Sequence, residues 1–288
     1  MFNSSNSVNV GFINEINMLY KLQGQDRIIK LFDYENVEND MDELLYVVME
    51  KGDTDLASLL KKYATNKELT PAMIKHYWAE MLHAVQCIHN SGIIHKDLKP
   101  ANFMLVAGRL KLIDFGIATS IQSDKTSITI DNQMGTFNYM SPESIQDQSG
   151  PQVDKQGNRK PCIKISYKTD VWSLGCILYQ LTYGKLPFAD IKYPLMKLQA
   201  ITNVDHTIEF PQLPNIDTRL VDVLRSCLER DIRKRANIDE LLGHSYLSGE
   251  LAPAPVVAPA INARMLSELE GILSPNTFKK TKKILQNH

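Results

Sequence analysis

The sequence predicts an α+β chain of 288 residues, long enough for one large domain or two lobes. Three observations point there. Apolar strand-like runs crowd the first fifty residues, at Ile28–Tyr34 and Leu44–Glu50. A second, shorter pair, Phe103–Val106 and Arg109–Ile113, is separated by the turn residues Ala107 and Gly108. The remainder is dominated by helical spacing, above all after Pro71 and through Asp170–Tyr183.

Residues 1–10 carry no charge, are rich in Asn and Ser, and read as a frayed start. Phe12, Ile13, Ile16, Leu19 and Tyr20 then fall on one helical face, with Glu15 among them. The two first strand runs, separated by the acidic stretch Glu38–Glu43, predict an antiparallel pair. Lys51-Gly52-Asp53 follows as a hinge whose glycine lets backbone approach a flat ring closely, and a short helix is predicted over Leu56–Tyr63. Thr70 and Pro71 open a long helix in which Ile74, Tyr77, Trp78, Met81, Leu82, Val85 and Ile88 recur at three and four residues, until Gly92 ends it. Its His76, His83 and His89 share no i, i+4 spacing, which argues against a metal site.

Between that helix and the second hairpin lies Ile94-His95-Lys96-Asp97-Leu98-Lys99-Pro100-Ala101-Asn102, and the hairpin ends in Asp114-Phe115-Gly116. The hairpin would bring Asn102 and Asp114 side by side. An Asp that can take a hydroxyl proton, followed by an Asn and a second Asp able to hold metal, in this order and at hairpin spacing, reads as a phosphoryl-transfer site.

Residues 117–138 are rich in Ser and Thr and end near Ser141-Pro142-Glu143; the stretch 144–168 reads as a disordered insertion. Asp170–Tyr183 is apolar around most of its circumference, a helix for a domain centre, and too short and too charged for a membrane span. Gly184 and Pro187 close it, and further helices are predicted around Leu195–Ile201, Thr218–Cys227 and Ile238–Leu242. Leu251–Ala260 reads as a stiff Pro/Ala linker, and 261–288 as a basic tail, for the most part a solvated face that would also suit an acidic partner.

A formal charge of −1 gives no global attraction to nucleic acid or to an anionic membrane. Four scattered cysteines without zinc-ligand spacing read as reduced thiols of an intracellular protein. With no leader and no apolar run of membrane length, a soluble cytosolic or nuclear protein is expected.

From about residue 11 to 250 the chain resembles the eukaryotic protein kinases. Its phrases N-E-I-x-x-L-x-K-L-Q (14–23), V-V-M-E-x-G-x-x-D-L (47–56), H-x-D-L-K-P-A-N-F (95–103), L-K-L-I-D-F-G-I-A (110–118) and K-T-D-V-W-S-L-G-C-I-L-Y (168–179) look like the monopolar-spindle checkpoint kinases. The resemblance implies a bilobal fold, small lobe 11–50 and large lobe 51–250. It implies a dual-specificity, mainly Ser/Thr, kinase of proteins acting at kinetochores, using ATP and Mg²⁺. Asp97 would orient the substrate hydroxyl and Lys99 neutralise the transferring phosphoryl; Thr136 would bridge these two. Asn102 and Asp114 would hold Mg²⁺. Met49 would be the gatekeeper, with backbone of Glu50 and Gly52 at the adenine and Met104 beneath it. Glu15 matches the small-lobe helix carboxylate that pairs with a strand Lys. Glu143 would pair with Arg235, and Thr126 is the expected activation-loop phosphosite.

Two departures stand out. Lys96 replaces the usual Arg, keeping the charge but not the planar fork. Only fourteen residues precede Glu15, with a single glycine, Gly11, and no Lys, so neither a Gly-rich loop nor a phosphate-binding strand Lys stands ahead of it. The small lobe is therefore expected to be truncated and the chain by itself weakly active. The competing reading is a non-catalytic binding or scaffold module.

Overall fold

The computed structural model describes residues 16–38 (without 17), 43–66, 69–114, 136–148 and 166–249 (without 215). Glu15, Thr126, the insertion residues 149–165, the linker and the tail lie outside the described residues. The chain divides into units Met1–Ser248 and Gly249–His288. All elements below belong to the first.

Strands β1 (Leu31–Glu38) and β2 (Glu43–Met49) form an antiparallel pair, with Tyr34 opposite Val47 and Glu38 opposite Glu43. The first strand begins three residues later than the apolar run suggests. Ile28 and Ile29 are almost fully buried because they turn aside to the second sheet: Ile29 N donates to Leu112 O at 3.0 Å, and Leu112 N to Arg27 O at 2.9 Å. That second sheet runs β3 (Thr54–Asp55), β4 (Phe103–Val106), β5 (Arg109–Leu112), all antiparallel. Ala107 (φ 49°) and Gly108 (φ 81°) make the left-handed turn between β4 and β5, the conformation that a two-residue hairpin needs.

Helix α1 (Leu56–Asn66) outruns its predicted end by three residues, and α2 (Pro71–Asn90) starts where the Thr70 side chain accepts from Met73 N. Helix α3 (Pro142–Gln148) and the start of α4 (Tyr167–Tyr183, capped by Ser166) take residues from both ends of the predicted insertion. Helices α5 (Pro194–Thr202), α6 (Thr218–Cys227), α7 (Ile238–Leu242) and α8 (Ser245–Ser248) complete the large lobe. Among the described residues the architecture is a small sheet and a mainly helical lobe, the α+β class expected, with β1 and β2 as the strands of the small lobe.

Helix α4 packs against α2 and α6 and is buried on nearly every side, which explains its unbroken apolar pattern. Gly184 ends it in the left-handed conformation (φ 71°). Its first turn nevertheless collects charge. Arg235, with no exposed surface, grips Glu143 of α3 through two bonds of 2.6 and 2.9 Å, donates to Lys168 O at 2.8 Å, and lies 5.2 Å from the Trp172 ring. Burial alone would raise the Glu143 pKa, but the Arg235 bonds and charge outweigh it and hold the carboxyl below its ordinary value.

Removing either partner strands a buried charge, so Glu143→Ala or Arg235→Ala should each cost about 3–5 kcal/mol in a denaturation titration, and the double variant less than the sum. The depressed carboxyl also fixes the pH dependence: its stabilisation is complete above the ordinary value of 4.5 and is lost as pH falls below it. A wild-type chain whose acid unfolding matches that of Glu143→Gln would contradict this.

Candidate active site

The loop between α2 and β4 is shaped by a buried carboxylate two helices away in sequence. Asp170, in the first turn of α4 and fully buried, accepts from His95 N and Lys96 N, each at 2.9 Å, and lies 2.7 Å from His89 Nε2. Lys96 adopts φ 70°, a left-handed conformation unusual for Lys, and the bonds from its own N–H and that of His95 to Asp170 hold it there. The turn projects Asp97, whose N–H points at His95 Nδ1 (3.4 Å), while the His95 ring also bonds Asp114 O.

From that turn the polar groups converge. Lys99 Nζ lies 2.8 Å from Asp97 Oδ2. The short 3-10 turn Pro100–Asn102 presents Asn102, whose Oδ1 accepts from Lys99 N at 2.9 Å and whose Nδ2 donates to Asp114 Oδ2 at 3.2 Å. Ile113 N donates to Asn102 O at 3.1 Å, extending the hairpin register past β5 and fixing Asp114 beside Asn102. Asp97, Lys99, Asn102 and Asp114 are thus brought together.

The hinge is set against the same hairpin. Glu50 N donates to Lys30 O at 2.8 Å, so of its two backbone groups the carbonyl is left for a ligand edge. A Cβ on Gly52 would collide with the Met104 side chain, so the glycine keeps the hinge and β4 in close approach. Met49, at the end of β2, is exposed. Thr136 opens a 3-10 turn, Thr136–Tyr139, that is anchored to α4 where Ser173 Oγ donates to Tyr139 O at 2.8 Å. Glu143 and Arg235 lie at the foot of α4, where they tie α3 to the segment before α7.

Asn102 and Asp114 have side chains of the class that holds a divalent cation, an amide and a carboxylate with hard oxygens, although here the Asn102 Nδ2 faces Asp114 and its Oδ1 accepts from Lys99 N. No cluster of three or more His, Cys, Asp or Glu suited to a metal occurs among the described residues, and the α2 histidines include His89, which is engaged with Asp170.

Comparison with known proteins identifies the family. Residues 3–247 match the protein kinase domain model. The chain belongs to the protein kinase family. It is 48% identical over 276 residues to "Dual specificity protein kinase TTK" of Mus musculus, covering 94% of this chain and 31% of the relative. Identity to "Dual specificity protein kinase Ttk" of Danio rerio is 49% over 271 residues (93% and 26%). For "Serine/threonine-protein kinase mph1" of Schizosaccharomyces pombe it is 46% over 254 residues (83% and 36%). The chain thus spans about a third, or less, of these relatives' length. Kinase domains as a class use ATP and a divalent metal.

Asp170, Lys111 and Ser173 stand in the sequence only as parts of the family-like phrases, Asp170 also as a charge unfit for a membrane helix, and none of the three has a role there. The available signal was a lone Asp in the first turn of a helix otherwise apolar all round, since a buried carboxylate must be met by donors.

Replacing Asp170 by Ala should leave two backbone N–H groups and His89 without their acceptor. The expected loss is about 3–5 kcal/mol of stability, with Asp170→Asn losing less because one oxygen remains. An unchanged midpoint in a denaturation titration would show that other contacts hold the loop.

Proposed function

We propose that this chain carries the catalytic centre of an ATP-dependent protein kinase that phosphorylates Ser and Thr, and also Tyr, in protein substrates. The observation that carries it is the convergence on one hairpin of the Asp97–Lys99 pair at 2.8 Å and the Asn102–Asp114 pair at 3.2 Å.

In this reading Asp97 orients the substrate hydroxyl and accepts its proton as the oxygen bonds to the γ-phosphorus and the bond to ADP breaks. Lys99 offsets negative charge on the moving phosphoryl, and Thr136 bridges Asp97 and Lys99. Placement and electrostatics supply most of the catalysis. Asn102 and Asp114 would hold Mg²⁺, which when bound neutralises phosphate oxygens. The adenine would meet the Glu50 carbonyl and the Gly52 N–H, with Met49 as gatekeeper and Met104 below the ring. Glu15 would pair with a phosphate-binding Lys, Thr126 would be the phosphosite, and the basic tail would take an acidic partner. The sequence phrases that resemble the monopolar-spindle checkpoint kinases extend the reading to spindle-checkpoint signalling at kinetochores, in nucleus or cytoplasm. No helix among the described residues is long and apolar enough to cross a membrane.

Calorimetry with Mg²⁺-ATP and phosphorylation of dephosphorylated casein test the reading. Asp97→Asn should keep nucleotide affinity within about twofold and, since the chain by itself is expected to be weakly active, should bring whatever turnover it shows down to background. Asp114→Ala should instead weaken nucleotide binding in a Mg²⁺-dependent way. A chain that binds no Mg²⁺-ATP would favour the non-catalytic binding module.

A further inference from the structure

Lys111 sits on β5, a buried strand of the second sheet, with only 8% of its surface exposed. Its Nζ lies 2.9 Å from Oε1 and 2.7 Å from Oε2 of Glu50, so both carboxylate oxygens meet one ammonium. Glu50 Oε2 also accepts from Lys30 N at 3.2 Å. The hinge residue is therefore tied to β5 by its side chain and to the segment ahead of β1 by both side chain and backbone.

Lys111 is directly opposite Met104 in the β4–β5 register. Directly opposed residues share a face of the sheet. Met104 and Lys111 accordingly meet the hinge from one face, the first against Gly52 and the second at Glu50. Three residues beyond Lys111 the chain reaches Asp114, whose position is fixed by the continuing register.

A largely buried ion pair is a weak device for stability, because desolvation offsets most of the attraction and an apolar pair of like volume would pack as well. What such a pair does supply is a fixed distance and direction. We propose that Glu50 and Lys111 form a positioning clamp for the nucleotide, locking the hinge that meets the base in register with the strand that leads to the metal-binding carboxylate. This rests on the nucleotide-site reading above and deepens it: Lys111 acts through Glu50 without touching the nucleotide. The carboxyl is suited to the part, since the bonds and charges of Lys111 and Lys30 outweigh burial and keep it ionised below its ordinary range.

The test is calorimetry of Mg²⁺-ADP and of adenosine on the full chain, as wild type, Lys111→Met, Lys111→Arg and the swap Glu50→Lys with Lys111→Glu. Lys111→Met should weaken Mg²⁺-ADP about tenfold and adenosine only about threefold, because the clamp relates base to metal strand and adenosine uses the base end alone. Lys111→Arg should stay within about twofold of wild type, and the swap should recover part of the loss. If Lys111→Met does not fold, Glu50→Gln, of the same shape, takes its place with the same expectation. A merely structural role would lower the fraction of binding-competent chain at unchanged Kd, and that result overturns the clamp. Equal losses for the two ligands overturn it too. Wild-type chain that binds neither ligand overturns the nucleotide-site reading and the clamp together, whereas wild-type binding indifferent to Lys111 overturns the clamp alone.

Discussion

A carboxylate with no access to water must be met by donors or not be ionised, and Asp170 is such a group at the centre of the large lobe. Its donors are the backbone of His95 and Lys96 and the ring of His89, so the requirement of one buried charge dictates the path of the loop that carries Asp97 and Lys99. The left-handed Lys96 is the local cost of that path. Helix α4 can impose it because its other residues are packed on nearly every side and cannot shift to relieve the strain.

The same helical turn serves a second buried charge. Thr169 Oγ1 donates to Glu143 Oε1 at 3.0 Å, and Lys168 O accepts from Arg235. Three consecutive residues, Lys168, Thr169 and Asp170, thereby link α3, the Arg235 segment and the loop that carries Asp97. Apolar packing fixes α4 against its neighbours only to within the tolerance of side-chain repacking. Directional bonds at its first turn remove that freedom.

The small sheet is joined to the rest in a different way. Arg27 pairs with Glu80 of α2, whose carboxylate also accepts from Leu110 N at 3.0 Å. Glu50 pairs with Lys111. Each pair links the segments around β1 and β2 to the β4–β5 hairpin, the first through Glu80 and Leu110 N and the second through Lys111, so the hairpin flanked by Asn102 and Asp114 is braced at two successive residues. Charged bridges suit this junction better than apolar contacts, since they set a register over a small area.

The α+β class, the order of elements, the β4–β5 hairpin and the company of Asp97, Lys99, Asn102 and Asp114 were legible in the residues, because each follows from local rules. Alternation makes strands, the spacing of three and four makes α2 and α4, and Ala107-Gly108 makes a turn that must bring its flanks together. The start of β1 was misplaced because Ile28 and Ile29 look like strand residues of the first sheet but pair with Leu112, a partner some eighty residues away. The partners of Asp170, Lys111 and Ser173 were not legible for the same reason. A lone polar residue in an apolar or alternating run carries no local sign of its partner, and only the packing of distant segments supplies the donors and acceptors that give it a role. Local patterns in the residues were enough to show which polar groups a single turn would gather. What holds them in place came from the packing of distant segments, since a buried charge takes its meaning from the groups that surround it.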